Sequence, residues 1–374
     1  MKKKIIKILC IELLFLLSGV CVASAIKVNS EINYSSMYRG NWLYVGGGDP
    51  SNYSRIQDAI DNASNGDTVF VYDDSSPYQE NIRINKEITL IGENRDTTII
   101  SGLTGQDHVV RISSKNVIIN GFTIKGAAGG QDGISVFPLM ELCMISNNVI
   151  KDSSYGILLQ ATSSKITISD NIISNNNFQG IYLQGSNRNI ITNNLISGNG
   201  DYGIALDVNS VQNWIINNTV ENNFGGIKFS GSSSQNNISG NKICNNNMEG
   251  VLITGVLSNS NEITVNKITK NKFGIKISSS SKNVLTSNNI SENILMGIYL
   301  AGSNENIIKM NNFIKNKKNA RFVISFNNIW DFNYWDDWVG NRFENPIFKK
   351  FPKSISGFVL HNFDSNPQEE PYDL

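Results

Sequence analysis

Eight glycines, each followed by isoleucine or valine, recur along this chain at an almost constant interval. They are Gly133, Gly156, Gly180, Gly203, Gly226, Gly250, Gly274 and Gly297, spaced 23 or 24 residues apart. A fixed period in the range of about 20–50 residues marks a stacked repeat array, in which each unit buries its apolar face only against its neighbours. An asparagine follows each glycine by 14–16 residues: Asn148, Asn171, Asn194, Asn218, Asn241, Asn266, Asn288 and Asn311. Two residues beyond each asparagine stands an apolar side chain, from Ile150 to Phe313. Alternation such as Ile181-x-Leu183 is the two-residue period of a strand with one buried face. Asn, Ser and Gly clusters separate such strands, and these residues make turns rather than helices.

Each repeat therefore reads as one coil of about three short strands. Strands stacked coil on coil lie roughly 4.8 Å apart, so the asparagines are expected to form a ladder of side-chain amides, as in cross-β stacks. The predicted fold is all-β: a single-stranded right-handed parallel β-helix of about 23 residues per coil. A leucine-rich repeat shares the period. It needs regularly spaced leucines and a helical return, and this chain has isoleucine and segments such as Asn222-Asn223-Phe224.

At the N-terminus Lys2, Lys3 and Lys4 precede an apolar run from Ile8 to Val22 and then Ala23-Ser24-Ala25, the pattern of a secretory signal over residues 1–25. No other apolar stretch is long enough to span a bilayer. The expected location is therefore exported: cell surface, periplasm-like space or medium. Charge excludes a nucleic-acid partner. The chain has 32 Lys+Arg against 32 Asp+Glu, and the leader holds four of the lysines and one glutamate, leaving the remainder slightly acidic. Outside the leader stand Cys143 and Cys244, four coils or roughly 19 Å apart at the strand-stacking distance. A disulfide needs Cα atoms within about 7 Å, so both are expected as free, buried thiols.

Ahead of the repeats, Ile56-Gln57-Asp58-Ala59-Ile60-Asp61-Asn62-Ala63 alternates at helical spacing, and strand-like runs such as Thr68–Tyr72 and Ile88–Gly92 follow. At the far end stands Asn333-Tyr334-Trp335-Asp336-Asp337-Trp338-Val339-Gly340. These segments resemble the opening and the N-Y-W-x-D-x-x-G closing motif of NosD-like proteins. These belong to the pectin-lyase-like β-helices of archaeal and bacterial envelopes, with carbohydrate-binding and sugar-hydrolysis relatives. The resemblance implies a helix capping the first coil and extends the ladder to Asn333, with Trp335 in place of the usual Ile. The expected organisation is 26–110 as N-terminal cap and first coils, 111–335 as β-helix repeats and 336–374 as an aromatic C-terminal cap.

The family label also implies copper delivery, which wants His, Cys or Met. His108 and His361 lie near opposite ends, and Met140 and Met144 would point away from Cys143 on a strand. No metal site is expected from these residues. Calcium remains open through Asp and Asn oxygens, although no acidic pattern recurs between coils. Outward positions two and four residues after the glycines place Tyr182, Gln184, Asp207 and Lys228 on three consecutive coils, with Asp201 and Tyr202 in the turn before the middle one. A tyrosine, amides, a carboxylate and a lysine suit a saccharide, so Tyr182, Gln184, Tyr202, Asp207 and Lys228 are the candidate binding set. Glycosidases need two carboxylates about 5–10 Å apart, which assigns Asp201 and Asp207, with Lys228 as a lyase base, if the protein is an enzyme. The paired Asp-Asp with Gly-His-Gly and the Asp-Pro-His of β-helix enzymes are missing. The favoured expectation is an exported scaffold that binds carbohydrate, or an envelope protein, without catalysis. The alternative is a polysaccharide lyase, epimerase or glycoside hydrolase working in a groove on the helix face.

Overall fold

The structure is a computed structural model that describes residues 40–105, 108–126, 130–338, 353–357 and 361–374. The secretory pattern of residues 1–25, Val339-Gly340 of the closing motif and the aromatics of 341–352 lie outside the described residues. Three parallel sheets run the length of the molecule, and consecutive coils contribute one strand to each. The first sheet runs from Trp42–Val45 to Ile329–Asp331, the second from Ile82–Ile84 to Ala320–Val323 and the third from Tyr78–Gln79 to Tyr334–Trp335. Each return to the same sheet makes a parallel pair, a connection that is right-handed in nearly all proteins, and the solenoid is a right-handed β-helix.

Register follows the repeat. Ile181 pairs with Ile204 and Ile204 with Ile227, while Ile173 pairs with Ile196 and Ile196 with Val220. These side chains are wholly buried and form single-file aliphatic columns, and the second sheet carries another inward column through Leu183 and Leu206. A β-branched residue suits this position because its stiff χ1 packs well on a pleated surface. Cys143 and Cys244 are free and buried. Burial raises the Cys143 thiol to about 11, mostly by desolvation.

The expected amide ladder is present. From Asn148 to Asn333, each side-chain Nδ2 donates to the Oδ1 of the next asparagine at 2.9–3.1 Å. The backbone N–H of each asparagine donates to that same oxygen at 2.8–3.0 Å. Two further ladders were not foreseen. One climbs from Asn189 through Asn213, Asn236, Asn261, Asn283 and Asn306 to Asn328. The other climbs from Asn176 through Asn199, Asn223, Asn246, Asn271 and Asn293 to Asn316. At these three positions of the coil a stacked amide satisfies buried backbone groups, which is what buried polar groups require.

The glycine column has a steric cause rather than a conformational one. A Cβ on Gly180 would stand 2.7 Å from the Gly203 carbonyl oxygen, 2.7 Å from Ile196 Cγ2 and 2.9 Å from Asn199 Nδ2. The chain passes there directly over a ladder amide, and no side chain fits.

Both ends are closed. The helix Ile56–Asn62 buries Ile56, Ala59 and Ile60 against the first coils. Glu80 of the neighbouring coil accepts from the Ile56 and Gln57 N–H groups at 2.8 and 3.1 Å, and Lys86 Nζ donates to the Ile60, Asp61 and Ala63 carbonyls. At the other end Trp335 stacks on Phe313, with centroids 4.2 Å apart and planes at 9°. The strand pair Lys353–Ser356 and His361–Asp364 continues the first sheet. Asp364 Oδ2 accepts from the N–H and Nδ2 of Asn333 and from Trp335 Nε1.

Candidate functional site

The outer face of the second sheet carries two parallel columns of side chains. The column two residues after each glycine runs Arg111, Ser135, Leu158, Tyr182, Ala205, Lys228, each the register partner of the next. The column just before the glycines runs Asp132, Tyr155, Gln179, Tyr202, Gly225, Glu249. Tyr155 joins the two columns. Its ring stacks on Tyr182 at 5.4 Å and on Phe178 at 5.3 Å, and Phe178 is half exposed. Burial pushes the Tyr182 phenol up to about 12, and Asp207 adds to the shift. Both phenols are therefore neutral donors near neutral pH.

Three of the expected residues come together at the surface, and the fourth, Lys228, stands one coil away. Gln184 and Asp207 are register partners, and the Tyr182 hydroxyl stands 3.5 Å from Asp207 Oδ2. Lys228, partly exposed, lies on the next coil from Asp207.

Two expectations are corrected. Tyr202 does not face solvent: it is 6% exposed and begins the strand Tyr202–Asp207 instead of ending a turn. Its ring lies over Gly225, where any Cβ would overlap it, and its hydroxyl donates to Glu249 Oε2 at 2.7 Å. Lys228 Nζ sits 5.6 Å from the centre of that ring. Asp201 and Asp207 do not form a glycosidase pair either. Six residues of extended chain separate them, roughly 20 Å at about 3.3 Å per residue, against the 5–10 Å or so that the chemistry needs. Asp201 is instead held by Gln179 Nε2 at 2.6 Å.

Glu249 is a buried carboxylate that the sequence reading passed over. It is 2% exposed and takes Lys276 Nζ at 3.0 Å in addition to Tyr202. Burial is the largest influence and raises its pKa, but the two donors together outweigh it and hold the carboxyl below its ordinary value. Also missed were His108 and Asp132, register partners whose Nδ1 and Oδ2 lie 3.0 Å apart. The Arg111 guanidinium beside them lies 3.7 Å above the Phe137 ring. Reading the position before each glycine down the repeats would have brought Asp132, Tyr155 and Glu249 into one column.

Among the described residues the donors that copper would call on stand apart. Among the described residues no three His, Cys, Asp or Glu side chains converge. His108 is engaged with Asp132, Met140 packs on the core and Cys143 is buried with its thiol donating to backbone carbonyls. No helix among the described residues is long and apolar enough to cross a membrane.

Comparison with known proteins agrees with this architecture. A family model described as right handed beta helix region matches residues 107–255. A second, described as periplasmic copper-binding protein (NosD), matches residues 208–340. A cell surface glycoprotein of Methanothermus fervidus is 33% identical over 101 residues, a stretch that takes in 27% of this chain and only 16% of that protein. Among solved structures, the A-module of an Azotobacter vinelandii mannuronan C-5 epimerase superposes with a TM-score of 0.65 at 17% identity, covering 75% of this chain and 88% of that one. DFA-IIIase from Arthrobacter chlorophenolicus, without its lid, gives 0.60 at 12% identity, covering 79% and 94%. Likeness at such identities speaks to fold alone. Repeat, ladders, caps and family matches agree on the fold: the chain is a right-handed parallel β-helix, similar over residues 208–340 to the NosD-like proteins.

Proposed function

We propose that this protein is an exported surface β-helix that binds carbohydrate along the outer face of its second sheet, without catalysis and without a cofactor. The observation that carries the reading is the row in which Tyr155 and Tyr182 stack beside Gln184, Asp207 and Lys228. Aromatic faces with adjacent amide, carboxylate and ammonium groups match the apolar faces and hydroxyl edges of sugars. Coils repeat at roughly 4.8 Å, of the order of one sugar residue, so successive sugars of a chain can meet successive coils. The surface-glycoprotein relative and the periplasmic family support the exported setting. A mannuronan C-5 epimerase module of the same fold is in keeping with a carbohydrate ligand. The separation of Asp201 from Asp207 favours binding over hydrolysis.

The test is size-exclusion chromatography of the purified protein with uronate-containing and neutral polysaccharides, with and without calcium. Co-elution of intact polysaccharide is expected, and Tyr182→Ala should weaken it about tenfold, or about 1.4 kcal/mol. Shortened chains would overturn the non-catalytic reading. Failure of every polysaccharide to co-elute would overturn carbohydrate binding itself.

A further inference from the structure

The first coils of this face carry a charge pattern that the row around Tyr182 does not explain. Arg83 and Arg111 are register partners on adjacent strands of the second sheet. The Arg111 guanidinium is stacked on Phe137 and forms no ion pair among the described residues. Stacking fixes the plane of a guanidinium while leaving its N–H edge to hydrogen-bond a planar anion in bidentate fashion. The same Phe137 ring takes His108 edge-on, with centroids 5.8 Å apart at 76°. His108 Nδ1 lies in turn 3.0 Å from Asp132 Oδ2. The Asp132 side chain is 8% exposed. One of its oxygens engages His108 and the other accepts from the Tyr155 N–H at 3.4 Å. Both Asp132 oxygens thus face other groups, and neither forms an ion pair with Arg111.

Arg111 also shares its column with Tyr182, three strands further on, and Tyr155 lies between them. We infer that Arg111, seated on Phe137 and buttressed by the His108–Asp132 pair, is the subsite for the carboxylate of an acidic sugar whose neighbours in the chain lie on Tyr155 and Tyr182. The ligand class is then a uronate-bearing polysaccharide rather than a neutral one. The inference rests on the carbohydrate-binding reading and makes it specific. A flat fork beside an aromatic floor matches a carboxylate, and the continuous step from this fork to the tyrosine stack places the anion on a sugar.

The experiment compares binding of polygalacturonate, carboxyl-reduced polygalacturonate and dextran sulfate to the whole protein at about 0.15 M salt, where interactions beyond roughly 8 Å are screened. The wild-type protein should bind polygalacturonate at least tenfold more tightly than the reduced polymer. Arg111→Gln should erase that preference while leaving the reduced polymer bound as before, and Arg111→Lys, which keeps the charge but not the fork, should restore only part of it. Tyr182→Ala should weaken both polymers alike. Equal wild-type binding of the two, or a preference that survives Arg111→Gln, would overturn the subsite and leave carbohydrate binding standing. Tighter binding of dextran sulfate than of polygalacturonate would reassign the anion to a sulfate ester and overturn the uronate assignment. Binding of none of the three would overturn the uronate subsite, and failure of the wider polysaccharide panel as well would overturn carbohydrate binding. An unchanged melting temperature in Arg111→Gln separates loss of the site from loss of the fold.

Discussion

A single asparagine in the first ladder serves several masters. Asn218 accepts from the N–H and the Nδ2 of Asn194 and sends its own Nδ2 to Asn241 and to the Ile191 and Ile216 carbonyls. Truncating it strands buried donors on one coil and acceptors on another, each worth about 1–3 kcal/mol when left unmade. Asn218→Ala should therefore cost about 3–5 kcal/mol, read as a drop in denaturation midpoint and as faster amide exchange centred on that coil. Glu249 gives a pH signature. Its folded-state pKa is depressed, so its stabilising contribution is complete above the ordinary carboxylate value and is lost as pH falls through the lower, folded one. Thermal stability should decline on acidification below about pH 4, and Glu249→Gln should shrink the part of that decline that arises in the coils around Tyr202 and Lys276.

At the level of the element, the glycine column and the first ladder were legible because one residue type recurs once per repeat. Gly180→Ala should test the steric reading of that column. A Cβ there meets backbone and a ladder amide instead of the yielding tip of a flexible side chain. Overpacking of this kind costs about 1–3 kcal/mol or more, visible in the melting temperature. The other two ladders recur just as regularly, yet Asn222-Asn223-Phe224 read simply as a turn. Composition marks a turn, but only register shows that Asn223 points inward while Asn222 adopts a left-handed φ of 58° and faces solvent. Tyr202 was misread for the same reason, since the strand begins one residue earlier than its turn-like neighbours suggested. His108 and Asp132 escaped notice because 24 residues of sequence separate two side chains that stacking places one coil apart.

For the molecule as a whole, stability passes from coil to coil, so the ends matter beyond their size. Asp364 closes the first ladder by receiving three hydrogen bonds on one oxygen. Asp364→Ala should loosen the last coils before any global change, seen as amide exchange that quickens around Asn333 and Trp335 first. An unsealed strand edge also invites association, and the variant should self-associate at concentrations where the parent does not, by light scattering. The closing carboxylate has one more consequence. The amide–amide bonds in all three columns run the same way, from Nδ2 on one coil to Oδ1 on the next. Sheets themselves have little net dipole, but these side-chain dipoles add along the axis, negative at the Asn148 end and positive at the Asn333 end. Asp364 is then the counter-charge to a side-chain macrodipole, as an acidic residue is at the start of a helix. The Phe122 N–H, donating to Asn148 Oδ1 at 3.1 Å, meets the opposite pole.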